Sequence, residues 1–574
     1  MSRAARSGKK EPSGSAESRI ERKRFLVRLT LSMVSGVLLG FSFPPSQLGI
    51  LACFGLVPLL IALADVTRTR ALLGYSYVAF FLFHLITINW TGGFEHGHDV
   101  YMMIAGGVTM VVHPIFYFLP LLAYHWCRKC LGDVPALIGL PFFWVAYEYS
   151  HTLSEWSFPW LTLGNSQSYD VAAMQFISFT GVLGLSFWVL LMNVVAYVLY
   201  SLLAQRRTGR GAIRAWVTVA VLVALFLAPK VYGWFALESA SHESRTEQTR
   251  PTNGVTVGIV QPNLDPWDKW SMQGYQILEL YLHLTDSLVK QCGSKVPDLV
   301  LWPETAVPYY LLDSANRGML NYLEKRLADI GVPVLTGLAN IKVYSDSTKA
   351  PPSAKRFPPT GQRYDTFNAA ALIQPGERDV QWYGKMKMVP FAERVPYADL
   401  FYFFDFLRWN VGIGGWQIGP DTTVFRVDRS GHKFSAMICY ESTYPDFVSA
   451  FVRRGAQFIT IITIDSWWGR MSGAFQHKQF ALFRAVENRR WVARCALGGI
   501  SCFIDPYGRT YDATELFSRV VLCRTIEARD EVTFYAAHGD WLGTASVWVA
   551  GALLAACVGQ IFYRRKRESE WLND

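Results

Sequence analysis

The chain reads as a polytopic α-helical membrane domain joined to one α/β domain, and three observations carry that reading. Apolar runs long enough to cross a bilayer fill residues 25–235 and recur once at 541–563. Between them, at 236–540, the apolar runs shrink to strand length and alternate with charged helical stretches. The basic residues alternate from loop to loop. Charged residues make up only 17% of the 574, where an average soluble domain carries about 25%.

Residues 1–24 are polar, basic and rich in Ser and Gly, which predicts a disordered tail. The apolar run after it has no small-residue cleavage site, so it reads as an uncleaved first span. A helix needs ~20 mainly apolar residues to cross ~30 Å of hydrocarbon. Eight stretches approach or meet that length: 25–43, 48–64, 72–90, 102–125, 134–149, 182–203, 213–235 and 541–563. The second and fifth are short, which suits a tilted or re-entrant segment.

A net charge of +10 could in bulk suit nucleic acid. Its distribution argues against nucleic acid. Lys and Arg fill the tail before Phe25 and recur at 65–70, 127–130, 205–214 and 564–568, whereas 44–47, 91–101 and 150–170 carry none. By the positive-inside rule the basic loops and both termini are cytoplasmic, and 236–540 lies across the membrane. Within the spans, His84, Asn89 and His113 are expected to bond from helix to helix, and Glu148 to do the same or to sit at the outer interface. Cys127 and Cys130 have CxxC spacing but no second pair, so no metal is expected there.

In the α/β domain, strands are predicted at 253–263, 297–304, 332–339, 366–376, 433–441, 456–466 and 495–508. Helical patterns occupy 273–291, 316–330 and 475–493, and 342–362 reads as a mobile surface loop. Strands alternating with helices predict a sheet buried between helical layers. Working residues of such sheets gather at strand ends. Here "LVLWPE" delivers Glu304, "WYGKMKMVPFAERVP" delivers Lys385 and Glu393, and "SAMICYE" delivers Cys439. A carboxylate, an ammonium and a thiol are the parts of a nucleophilic acyl-transfer site.

Blander readings compete at each position. A strand cysteine is commonly a small core hydrophobe, and glutamates are commonly solvated. Lys385 and Lys387, two apart, would share one strand face, so alternation cannot choose between them. Five cysteines lie outside the spans, at 292, 439, 495, 502 and 523. An odd number leaves at least one free thiol. Cys439 is the candidate, and pairing among Cys292, Cys495, Cys502 and Cys523 stays open. The segment 397–420, with its aromatic run and "GIGGWQIG", reads equally as an arm that touches the membrane and admits acyl chains or as an aromatic satellite core.

The combination of Glu304, Lys385 and Cys439 in these contexts resembles the nitrilase superfamily. The stretch "KMVPFAERVP" and the order of seven spans, domain, eighth span resemble the bacterial apolipoprotein N-acyltransferases. That resemblance covers nearly the whole chain after the tail. It implies an αββα sandwich facing the periplasm of the inner membrane. It also implies transfer of an acyl chain from a phospholipid to the N-terminal amine of a diacylglyceryl-cysteine lipoprotein, by a ping-pong route through a thioester on Cys439. Glu304 would be the general base, Lys385 the oxyanion stabiliser and Cys439 the nucleophile. Glu393, Tyr440 and Glu441 match supporting positions, and Trp270 a tryptophan near the substrate entrance. No metal, cofactor or nucleic acid is implied, and a monomer is expected.

Two departures stand out: Ile464 precedes Asp465 where relatives carry Asn, and "ALGGIS" (496–501) replaces "TNTGIS". A membrane-anchored amidase would keep the same domain but need only one anchor. A non-enzymatic transporter or lipid-binding scaffold would need intramembrane charges, and Asp65 and Lys230 are nearly all the spans offer.

Overall fold

The computed structural model describes residues 14–93, 95, 100–204, 210–246, 253–293, 295–377, 379–400 and 415–571. Among these, six helices are long and apolar enough to cross a membrane: Ser18–Phe41, Thr69–Thr87, Met102–Leu131, Val182–Ala204, Gly211–Ala240 and Trp541–Trp571. They expose large apolar side chains such as Trp216, Trp548 and Phe562, a surface that only lipid would cover without penalty. The two expected spans that were short differ from the other six. The first is a shorter apolar helix, Gly49–Leu63, in three consecutive turns. The second, Asp133–Thr152, carries Pro141 inside it. Both bury much of their surface against neighbouring helices, so protein supplies part of their apolar environment.

Residues 14–24, expected to be a disordered tail, belong to the helix Gly14–Phe41. Glu21, Arg22, Lys23 and Arg24 lose little rotamer freedom in a helix, so the span propagates back through them. Polar groups inside the bundle bond across it. His84 Nε2 lies 2.7 Å from His113 Nδ1. The buried Glu148 carboxylate accepts from Trp144 Nε1 and Leu163 N at 3.0 and 2.8 Å.

The second domain holds fourteen strands among the described residues. They are β1 Gly254–Gln261, β2 Leu299–Leu301, β3 Val307–Tyr310, β4 Val334–Val343, β5 Lys355–Arg356, β6 Arg363–Ile373 and β7 Gln381–Gly384, then β8 Val424–Arg426, β9 Lys433–Ile438, β10 Phe458–Thr463, β11 Val492–Ala496, β12 Cys502–Ile504, β13 Thr510–Tyr511 and β14 Val520–Glu527. One sheet runs β14-β1-β2-β4-β6-β5, with β3 on β4 and β7 on β6, and the other runs β13-β12-β11-β10-β9-β8. Val255, Leu301 and Leu372 from the first meet Phe434, Ile459 and Val492 from the second in one apolar layer. The outer face of the first sheet is covered by the helices Gly274–Cys292 and Arg317–Ile330. Pro445–Arg453 and Ser472–Asn488 pack on the second. The predicted αββα sandwich is therefore observed.

Some elements differ from the sequence reading. The run 495–508 is not one strand, because the chain turns at 497–501 between β11 and β12. Pro445–Arg453 and the edge strands β8 and β14 were not expected. The segment 342–362 holds β5 and a turn at Ser347–Lys349 and is not wholly loop. A disulfide joins Cys292 to Cys523, tying the helix Gly274–Cys292 to β14 and leaving Cys439, Cys495 and Cys502 free.

The helix Ser472–Asn488 is buried on both faces. Ala481, Leu482 and Ala485 face the sheet, while Phe480, Phe483 and Val486 join the core of the membrane bundle. Gln476 fastens it there. Its Nε2 donates to Pro44 O and Thr87 O at 2.8 and 2.9 Å, and its Oε1 accepts from Trp90 and Trp160 Nε1 at 2.9 and 2.6 Å. Gln476→Leu would orphan all four groups at about 1–3 kcal/mol each. The expected result is a clearly lower thermal midpoint of the detergent-purified protein, and an unchanged midpoint would refute the fastening role.

Candidate active site

The polypeptide leaves three strand ends at one buried point. Beyond β2 the chain runs through Pro303 to Glu304, beyond β7 to Lys385, and beyond β9 to Cys439. Thr305 and Cys439 both adopt positive φ, +43° and +53°. That conformation costs a residue with a Cβ roughly 1–2 kcal/mol, so neighbours must hold it in place. Glu441 holds the second. Its Oε2 accepts Ile438 N at 2.8 Å, and its Oε1 accepts Met386 N at 2.7 Å, Lys387 N at 3.3 Å and the Tyr383 hydroxyl at 2.6 Å. One carboxylate thus pins the exit of β7 to the turn that carries the thiol. Burial pushes the Glu441 carboxyl up to about 7 against the Tyr383 hydroxyl, the Ile438 and Met386 amides and the Lys385 charge.

Lys385 is fully buried, and its ammonium lies 2.7 Å from Glu393 Oε1 and 3.4 Å from Glu304 Oε1. Burial works against its charge, yet Glu393 and Glu304 outweigh burial and hold its pKa above the ordinary lysine value. Glu304 accepts Asn368 Nδ2 at 2.8 Å and, through Oε2, the backbone N of Ile464 at 3.1 Å. Asn368 also reaches Glu393 at 3.3 Å, and Glu393 Oε2 accepts Val389 N at 2.9 Å. Cys439 is 9% exposed. Burial and the nearby Glu304 charge raise its pKa, with Lys385 opposing them, so it rests as a thiol.

The expectation that Lys385 and Lys387 share a strand face is corrected. The strand β7 ends at Gly384, and Glu441 captures the next amides and turns the chain. Lys387 ends over the rings of Tyr444 and Phe447, at 5.0 and 5.8 Å.

The supporting residues fall at different distances from the chemistry. Tyr440 turns out of the domain, and its hydroxyl donates to Ser157 O at 3.1 Å in a loop between membrane helices. Trp270 is half-buried, outside the cluster of Glu304, Lys385 and Cys439. It is linked to them by its neighbour Lys269, whose ammonium sits 5.4 Å above the Trp270 ring and 3.2 Å from Thr305 O. The departures leave the framework in place. Ile464 contributes its amide to Glu304, and Ser501 bonds Gln261 at 2.5 Å. A Cβ on Gly499 would stand 2.3 Å from Asp465 Oδ2, so glycine is required there. Of the arm expected at 397–420, residues 401–414 lie outside the described residues. At its far end Gly415 N and Gly419 N donate to Glu393 O and Lys385 O at 3.0 and 2.8 Å.

Sequence reasoning missed Asn368, Lys269 and a buried network of Asp465, His477 and Arg494. His477 lies 2.9 Å from Asp465 Oδ1 and from Ser442 Oγ, and 3.1 Å from Cys439 O. Arg494 donates to Asp465 Oδ2 at 2.8 Å. A polar Asn in the otherwise apolar run "FNAAALI" and an Arg between Ala493 and Cys495 were the available signals.

Two family models match the chain: the apolipoprotein N-acyltransferase N-terminal domain over residues 35–195 and carbon-nitrogen hydrolase over 256–531. The chain is 34% identical to an apolipoprotein N-acyltransferase of Chlorobaculum tepidum, over 91% of this chain and 95% of that one. It is 29% identical to one of Geobacter metallireducens, over 93% and 95% respectively. Among solved structures, an amidase from Nesterenkonia sp. is 15% identical, covering 48% of this chain and 92% of that chain at a TM-score of 0.33.

Burial alone would raise the Asp465 carboxyl, but Arg494 and His477 outweigh it and hold it down at about 2, below its ordinary 3.8. A depressed carboxylate contributes stability that is present above the unfolded pKa and lost as pH falls through the folded one. The expected contribution, on the order of 2 kcal/mol, should therefore disappear between about pH 4 and pH 2. Thermal midpoints across that range should fall less steeply for Asp465→Asn than for the parent. Parallel curves would show that Asp465 is not the group responsible.

Proposed function

The chain belongs to the apolipoprotein N-acyltransferase family, and from that premise we propose that it moves an acyl chain from a phospholipid to a lipoprotein's N-terminal amine through a thioester on Cys439. One observation carries the reading further than a soluble amidase would allow. Tyr440, adjacent to the thiol, is bonded into a loop of the membrane domain, so the nucleophile sits where that domain meets the catalytic one.

In this mechanism Glu304 takes the thiol proton as the Cys439 sulfur attacks the ester carbonyl. The S–C bond forms, and the Lys385 ammonium faces the resulting oxyanion. As the tetrahedral centre collapses, the C–O bond breaks and the lysophospholipid oxygen leaves with the proton from Glu304. The lipoprotein amine then attacks the thioester carbonyl and gives its proton to Glu304. The N–C bond forms, the S–C bond breaks, and the proton returns to the thiolate. Glu393 and Asn368 position Lys385 and Glu304, and Glu441 positions the thiol.

With phospholipid alone, the wild-type protein should accumulate acyl-Cys439 and release one equivalent of lysophospholipid as a burst, read by intact mass spectrometry. Cys439→Ala should give no adduct, and Glu304→Gln should block thioester formation. Lys385→Ala removes an oxyanion donor, a change that typically costs about 10²–10³ in rate, and should suppress the burst. A wild-type enzyme that transfers acyl chains only with both substrates present, and never forms the adduct, would sink the covalent route.

We also infer that the catalytic domain faces the periplasm of the inner membrane, with both termini cytoplasmic. The basic loops at 65–70, 127–130, 205–214 and 564–568 support this orientation. A cysteine engineered in 342–362 should react with an impermeant maleimide once the outer membrane alone is permeabilised. Labelling only after the inner membrane is broken would reverse the topology.

A further inference from the structure

Where the helices Asp133–Thr152 and Trp541–Trp571 meet the catalytic domain, the surface sinks into a cleft of about 410 Å³. Tyr149, Leu153 and Thr544 line it from the membrane side, and Lys387, Asp446 and Arg453 from the catalytic side. It therefore lies at the level where hydrocarbon gives way to headgroups. Its charges are not balanced in pairs. Arg453 is matched by Asp446 at 2.9 Å and also donates to Ala536 O at 2.8 Å. Asp540, also on the lining, accepts the Tyr535 hydroxyl at 2.6 Å. The Lys387 ammonium has aromatic faces beneath it but forms no ion pair among the described residues.

Burial lowers the pKa of Lys387, and the carboxylates of Glu441, Asp446 and Glu155 offset that only from a distance. A half-buried cation held on aromatic faces and lacking a direct counter-ion favours an arriving anion. The lysine is also coupled to the chemistry. Its backbone N donates to Glu441, the carboxylate that holds the Cys439 turn, and it follows Lys385 by two residues. The backbones of the two lysines are therefore at most about 7 Å apart, and Tyr444 on the cleft lining meets Tyr440, next to Cys439, with ring centroids 5.5 Å apart.

We propose that this cleft seats the phosphate of the acyl-donor phospholipid, with Lys387 as its ligand and the chains running down beside the membrane helices. The proposal rests on the acyl-transfer reading above, so the experiment separates the two. Phosphatidate and diacylglycerol carrying the same acyl chains differ only in the phosphate. Each is offered as donor in detergent micelles, and acyl-Cys439 is followed by intact mass against donor mole fraction.

Wild-type protein should reach half-maximal acylation at roughly tenfold lower mole fraction of phosphatidate than of diacylglycerol, the effect of one charge-assisted contact. Lys387→Ala and Lys387→Gln should erase that ratio, and Lys387→Arg should keep it. A misfolded variant would lose both donors together, so the ratio is the readout, and the wild-type ratio stands without any variant. Millimolar inorganic phosphate, which has no chains, should leave the ratio intact. If it erases the ratio, the seat takes free phosphate and the lipid assignment is overturned. Equal use of both donors by wild type, or a ratio preserved in Lys387→Ala, overturns the seat while leaving acyl transfer standing. No adduct from either donor would instead overturn the acyl-transfer reading.

Discussion

An ammonium group with no exposed surface dictates the design of this site. Lys385 can remain charged only if anions stand against it, because removing an unpaired ion from water costs several kcal/mol. Two carboxylates do so, Glu393 at 2.7 Å and Glu304 at 3.4 Å. Those two then share an environment that would repel like charges, and Asn368 Nδ2 bridges both. The lysine, the asparagine and the two glutamates come from three separate segments of the chain, Lys385 and Glu393 sharing one. None of the four is tolerable in the interior alone, so the site assembles as a unit or not at all.

A second carboxylate system converts that local constraint into a domain-level one. Glu441 ties the exit of β7 to the Cys439 turn through backbone amides, while Asp465, His477 and Arg494 support the same turn from the turn after β10, the helix Ser472–Asn488 and β11. Because that helix is fastened into the bundle by Gln476, and Tyr440 by Ser157, the nucleophile's support is shared between two domains. The helix behind Cys439 has its outer side in the core of the membrane bundle.

The parts legible in the sequence were those with a strong local signature. Strand ends carrying Glu304, Lys385 and Cys439 follow apolar runs bounded by Pro, Gly or a polar residue, and the long spans are plain from length. Asn368 was hidden because its role depends on two glutamates distant in sequence, and neither a strand pattern nor propensity reports such a meeting. His477 and Arg494 were hidden for a related reason: on a helix or strand buried on both sides, polar residues look like errors in an apolar pattern until their partners are seen. The choice between Lys385 and Lys387 failed on alternation because the strand ends one residue before the first of them. The disordered tail was misjudged at 14–24, where good helix formers continue an established span at little cost.

The resting state of the thiol follows from the same electrostatics. A cysteine beside a lone ammonium would be depressed toward thiolate and react with any electrophile or oxidant at hand. Here the ammonium is already engaged by Glu393 and Glu304, while burial first and the Glu304 charge second disfavour a thiolate, so Cys439 stays protonated. In the proposed mechanism the thiol is therefore unmasked only when its proton can pass to Glu304 while negative charge moves onward to a carbonyl oxygen. At that moment the Lys385 ammonium gains an additional anion at no cost of reorganisation, because Glu393 has held it in position throughout. On that proposal the ion cluster has one arrangement for two tasks: it keeps the thiol quiet without substrate and stabilises the charge that substrate brings.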